Sequence, residues 1–94
     1  MRLSFEWDPL KASSNLRKHG VAFDEATTAF GDPFSIAIFD PDHSHEEDRL
    51  VLVGLSDRGR LLVVVHAERG DVVRVISARL ATRHERQTYE EGSP

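Results

Sequence analysis

Four apolar runs of strand length follow one another in the second half of the chain: "FSIAIF" (34–39), "RLVLVGLS" (49–56), "LLVVVHAE" (61–68) and "VVRVISAR" (72–79). Each is too short for a helix and rich in β-branched residues. "DRG" at 57–59 and "RGD" at 69–71 read as hairpin turns, so the runs form an antiparallel meander. In a cysteine-free chain the "RGD" tripeptide reads as that turn and not as an adhesion motif.

The flanking segments supply cover for such a sheet. "LSFEW" (3–7) alternates Leu3, Phe5 and Trp7 with polar residues, the period of a short strand with one buried face. Asp8-Pro9 then starts a helix: an aspartate accepts an orphan backbone N–H, and proline tolerates the first helical position. The helix is predicted to run through "LKASSNLRKH" to Gly20, with Leu10, Ala12 and Leu16 inward and Lys11, Arg17, Lys18 and His19 exposed. Asp24 is expected to cap a second helix, "EATTAF", that turns Ala26, Ala29 and Phe30 to the core before Gly31-Asp32-Pro33 ends it. Thr82 with Glu85 three residues on forms a capping box for a last helix. The predicted order is β-α-α-β-β-β-β-α: an α+β domain over residues 1–91 with helices on one face of an antiparallel sheet, and a disordered tail at 92–94.

Ninety-four residues give one small domain, to which a partner interface would be a natural supplement. The absence of cysteine excludes disulfides and thiolate zinc sites. No apolar run approaches the ~18 residues of a membrane span, and "MRLSFEWDPL" has no signal-peptide core. A cytoplasmic protein without membrane contact is expected.

Charge is unevenly spread. The total is −4, yet seven arginines lie between Arg58 and Arg86 against Glu68, Asp71 and Glu85. A general nucleic-acid binder would be basic overall; this chain has room only for a local cationic field. Arg74, Arg79, Arg83 and Arg86 gather where the last strand meets the last helix, and a helix N-terminus adds its own attraction for anions. Arginine forks suit phosphate, but Glu85, Glu90, Glu91 and Asp71 are equally available as surface partners. Glu85 is a candidate base, and Tyr89 a candidate proton-orienting or base-stacking group. Lys18 and His19 offer a cation and a group that titrates near neutrality. His66 and Glu68 share a strand face and are candidates to join Arg79 if that face is open. "DHSHEED" (42–48) has the composition of a metal site but equally that of a solvated loop.

Taken together, "FEWDPLKASSNLRKHGVAFDEA", "DPF", "HSHEEDR" and "VGLSDRGRLLVVVHAERGDVVRVISARLATRHERQTYEE" resemble the BrnT toxin family over residues 5 to 91. The resemblance rests on the patterns "WDP…N…KHGV.F..A" and "R.ISAR.A…E…Y". It implies a fold similar to the RelE superfamily and a metal-independent, cofactor-free ribonuclease that blocks translation. It also implies a BrnA-like ribbon-helix-helix antitoxin, through which alone operator DNA is bound. Under that resemblance Arg79 and Arg83 would hold the phosphate, with Lys18, Arg69, Arg74 and Arg86 as RNA-binding cations. Glu68, Glu85 or His19 would be the base, and Lys18 or Tyr89 the proton donor or orienting group. His84 and Gln87 depart from the more basic family pattern around the last helix. The contrasting expectation is a non-catalytic toxin-like module that binds the antitoxin and acts only in autoregulation.

Overall fold

The computed structural model describes residues 3–39 and 49–92. The elements are β1 (Ser4–Glu6), α1 (Pro9–His19), α2 (Phe23–Thr28), a 3-10 turn (Ala29–Gly31), β2 (Ile36–Phe39), β3 (Arg49–Leu55), β4 (Leu61–Arg69), β5 (Val72–Leu80) and α3 (Arg83–Glu91). The "DHSHEED" segment with its two histidines, and the tail beyond Gly92, lie outside the described residues.

The strands form one sheet in the order β1-β5-β4-β3-β2. β2 to β5 make the predicted antiparallel meander. β1 pairs with β5 in parallel, Ser4 opposite Val72 and Glu6 opposite Arg74, so the sheet is mixed and not wholly antiparallel. Alternation in "LSFEW" reveals a strand but says nothing of its direction; two helices separate β1 from the meander and return the chain to the far edge.

Both faces of the sheet are covered. On one, Leu62, Val64, Val75 and Ala78 pack against Val21, Phe23, Ala26 and Ala29, with Phe5, Trp7 and Phe30 at the margin. Trp7 meets Phe23, and Phe5 meets Phe30, edge to face. On the other, Val51, Val53, Leu61 and Val63 pack with Ile36, Ala81 and Tyr89 of α3. The expectation of helices on a single face is thereby corrected. β4 opens with five consecutive apolar residues, 61–65, which point alternately to both sides and need cover on both.

α1 begins and ends as its sequence dictates. Asp8 accepts the Leu10 N–H at 2.8 Å, and Gly20 closes the helix at φ 69°, a conformation open to glycine without penalty. Its inward stripe differs from the predicted one. Leu10 and Leu16 are 80% and 51% exposed, and the buried residue is Asn15. α2 starts at Phe23 with Ala22 as its N-cap and no side-chain cap; Asp24 lies inside the first turn, where its charge favours the helix N-terminus.

A polar knot ties these helices to the hairpin between β3 and β4. Buried Glu25 accepts from Ser56 Oγ at 2.7 Å and from Arg60 Nε at 2.9 Å, and the two side chains also form an ion pair through Arg60 Nη2. The same Nη2 donates to the Gly20 carbonyl at 3.1 Å. Arg60 and its hydrogen bond lower the Glu25 pKa; burial opposes this and Ser56 assists.

Candidate active site

β5 ends and α3 begins within three residues, and side-chain hydrogen bonds span the corner between them. Arg79 lies opposite Val63, on the α3 side of the sheet. Its Nη1 and Nη2 donate to Glu85 Oε1 and Oε2 at 2.7 and 2.8 Å. The same Oε1 accepts the Thr82 N–H at 2.8 Å, and Thr82 Oγ1 accepts the Glu85 N–H at 3.1 Å, completing the predicted capping box. Arg79, with the Thr82 N–H in support, holds Glu85 well below the usual carboxylate range, at about 2. Arg83, first in α3, is exposed, as is Arg86. Both line a groove of ≈ 300 Å³ along α3 with Gln87 and Glu90, and neither makes an ion pair among the described residues.

A second feature flanks β5. The C-terminal half of α1 runs beside it, leaving a cleft of ≈ 200 Å³ lined by Lys11, Ser14, Lys18 and His19 on one side and Ile76 and Ser77 on the other, with Asn15 as its floor. No carboxylate is among these residues. β5 carries one extra residue here, since the register passes from Val65–Ser77 to His66–Val75 and leaves Ile76 unpaired with β4. Such a bulge re-aims the strand at the cleft. Ser77 is two residues from Arg79, about 7 Å along a strand.

The remaining candidates lie elsewhere. Arg69 and Glu68 sit at the β4–β5 turn; Val63, the partner of Arg79, is six residues back along β4, about 20 Å away. Arg74 is paired with Glu6 of β1 at 2.9 Å. Tyr89 lies at the far end of α3 and donates to Asp32 Oδ2 at 2.6 Å. That bond, burial and the Asp32 charge push the phenol up to about 12. Asp32 also accepts the Phe34 and Leu55 N–H groups. His66 is buried, its ring edge-on to Phe30 and its Nε2 3.2 Å from Glu68. It occupies the face opposite Arg79 and that face is closed, so His66 and Glu68 do not join Arg79.

Among the described residues no three His, Asp or Glu side chains group as metal ligands would, and no helix is long and apolar enough to cross a membrane. Sequence reasoning missed Asn15, Asp32 and the Glu25–Arg60 pair. Asn15 and Asp32 did leave a signal, as the N of "WDP…N…KHGV.F..A" and the D of "DPF".

The chain is a small α+β protein with a mixed five-stranded sheet and a basic cleft between α1 and β5. Residues 7–85 match the family described as "Ribonuclease toxin, BrnT, of type II toxin-antitoxin system", and the chain belongs to that family. The crystal structure of the Brucella abortus ribonuclease toxin BrnT is similar in fold, with a TM-score of 0.67 and 23% identity over 86% of this chain and 99% of that one. No curated protein matches the sequence.

Proposed function

We propose that this BrnT-family chain is a metal-independent endoribonuclease that cuts RNA in the cytoplasm and so blocks translation. The observation that carries the reading is the α1–β5 cleft: Lys11, Lys18 and His19 line it together with Ser77, and no carboxylate is in the lining. A polyanion meets no carboxylate in that lining, and Arg79 follows Ser77 by two residues along β5, with Arg83 opening α3 after it. RNA cleavage without metal needs a base for the 2′-hydroxyl, cations for the phosphate and an acid for the leaving oxygen. His19 takes the 2′-hydroxyl proton, and the 2′-oxygen attacks the adjacent phosphorus. The P–O5′ bond breaks, Lys18 protonates O5′, and a 2′,3′-cyclic phosphate and a 5′-hydroxyl result. Arg79 and Arg83 face the equatorial phosphate oxygens.

Glu85 is assigned a positioning role in this scheme. A carboxylate held at about 2 is a weak base near neutrality, and both its oxygens are engaged with Arg79. Tyr89 and Glu68 are set aside for the same kind of reason, being engaged with Asp32 and His66.

The neutralising partner in this reading is a BrnA-like ribbon-helix-helix antitoxin that also supplies the operator-binding surface. Replacing Arg79 and Arg83 together by Ala should weaken that complex; an unchanged affinity would remove them from the interface.

The test is cleavage of single-stranded RNA by purified chain in excess chelator, with analysis of the new ends. Cyclic phosphate termini that disappear in folded His19→Ala and Arg83→Ala variants support the reading. One observation favours a second one: the Arg79 charge is already met internally by Glu85, as suits a non-catalytic module for antitoxin binding. A folded native chain that binds antitoxin but cuts no RNA, and arrests no growth when expressed alone, would establish that alternative.

A further inference from the structure

Asn15 is the one residue of α1 that the fold buries, and it is polar. Its side chain bonds only to backbone: Nδ2 donates to the Val21 carbonyl at 3.0 Å and the Ala78 carbonyl at 2.8 Å, and Oδ1 accepts the Ala78 N–H at 3.1 Å. The topology explains the need. β1 accompanies β5 only as far as Arg74, whereas β5 continues to Leu80. Beyond Arg74 that edge of β5 has lost its strand neighbour, and Ala78 is fully buried there. A buried N–H and C=O left unpaired are costly. The Asn15 amide carries a donor and an acceptor side by side and stands in for the missing strand. Its second donated bond fixes the chain just after α1.

That substitution sets a register as well as satisfying polar groups. Lys18 and His19 follow Asn15 by about one helical turn, while Ser77 and Arg79 flank Ala78. The two halves of the cleft are thus joined at one side chain. We infer that Asn15 is a positioning residue for RNA cleavage, its amide holding the Lys18–His19 end of α1 against the Ser77–Arg79 end of β5. This rests on the cleavage reading above. An apolar residue could fill the same volume but would leave the groups of Ala78 and Val21 unpaired. Aspartate would keep the acceptor for the Ala78 N–H and lose both donors.

The experiment is a double-mutant cycle between Asn15→Ala and His19→Ala, with kcat and KM for RNA cleavage measured alongside amide exchange of the native-state protein. The Asn15→Ala chain is expected to remain folded, to exchange its Ala78 amide at least about tenfold faster, and to lose at least about tenfold in kcat with KM changed less than about threefold. In the His19→Ala background the same substitution should cost little further, because the group it positions is gone. A loss of equal size in both backgrounds, or an unchanged Ala78 exchange rate, overturns the inference. If Asn15→Ala fails to fold, Asn15→Ser takes its place in the cycle; failure of both to fold assigns Asn15 to the core alone and also overturns it. Full activity in His19→Ala removes the base assignment, and Lys18→Ala then replaces it in the cycle, additivity there again overturning the positioning role. An inactive native chain is the separate failure of the cleavage reading and removes the catalytic role of Asn15 with it, while faster Ala78 exchange would still report the docking of α1.

Discussion

Arg79 and Glu85 meet as two parallel forks across the β5–α3 corner, with N···O distances of 2.7 and 2.8 Å. The pair does two things. It fixes a guanidinium at the end of β5, and it anchors the first turn of α3 through the Thr82 capping box. In the proposed mechanism Arg79 stabilises the charge that develops on the phosphate, so Arg79→Ala should lower kcat by about 10²-fold or more. Glu85→Gln should cost about tenfold, because glutamine can still serve the capping box but no longer holds the guanidinium by charge. Single-turnover cleavage with both variants checks the order; equal losses would place Glu85 in direct contact with substrate.

The same pair predicts an acid limb of stability. The folded-state pKa of Glu85 is about 2, below its ordinary value of 4.5. Between those values the unfolded chain binds more protons than the folded one, so the contribution is complete above about pH 5 and lost as pH falls toward 2. With Arg79 40% exposed and solvent screening allowed for, it is worth on the order of 1–2 kcal/mol. Urea unfolding at pH 7 and pH 3 should show Glu85→Gln losing less on acidification than the native chain. Parallel curves would mean the ion pair contributes nothing.

The legible parts of this fold were those written in local chemistry. The meander follows from run length and turn residues, the bounds of α1 from Asp8, Pro9 and Gly20, and the start of α3 from Thr82 and Glu85. Tertiary choices were not local. Nothing in "LSFEW" says that β1 runs parallel to β5, and nothing near Leu10 or Leu16 says that Asn15 between them takes the buried position. Asn15 is inward because β5 outruns β1 by six residues, Val75 to Leu80. The arginine cluster was visible as composition; only the register showed that Arg69 and Arg74 lie at a distance from Arg79. Lys18 and His19 were singled out, but the bulge at Ile76 that turns β5 toward them has no sequence signal.

Tyr89, the only tyrosine in the chain, offers an unusually clean readout. Its phenol is pushed up to about 12 by the bond to Asp32, burial and the Asp32 charge. The folded state therefore keeps a proton that the unfolded state loses near 10, and this stabilisation is complete below pH 10 and lost between 10 and about 12. An alkaline absorbance titration should show no tyrosinate until well above 10 and an earlier transition in Asp32→Asn. Tyr89 is six residues from Arg83, about 9 Å along α3. Tyr89→Phe should accordingly cost about 1 kcal/mol of stability and leave cleavage within about threefold of native. A large loss of kcat in that variant would return Tyr89 to the catalytic group.

Two ion pairs of similar appearance should differ sharply in worth. Arg74 and Glu6 are each about half exposed, 49% and 52%, so their attraction is screened and either residue can find water instead. Glu25 is 4% exposed and is bonded to Ser56 as well as Arg60, while Arg60 also ties down the Gly20 carbonyl. Removing Arg60 leaves a buried carboxylate with a single hydroxyl partner, the situation in which an unpaired charge is most costly. Thermal unfolding should therefore place Arg60→Ala at least about 5 °C below native and Arg74→Ala within about 2 °C of it. Arg60→Ala combined with Glu25→Gln should recover part of the loss, since the neutral amide no longer carries a buried charge. If the double variant melts no higher than Arg60→Ala alone, the penalty comes from the lost Gly20 contact and not from Glu25.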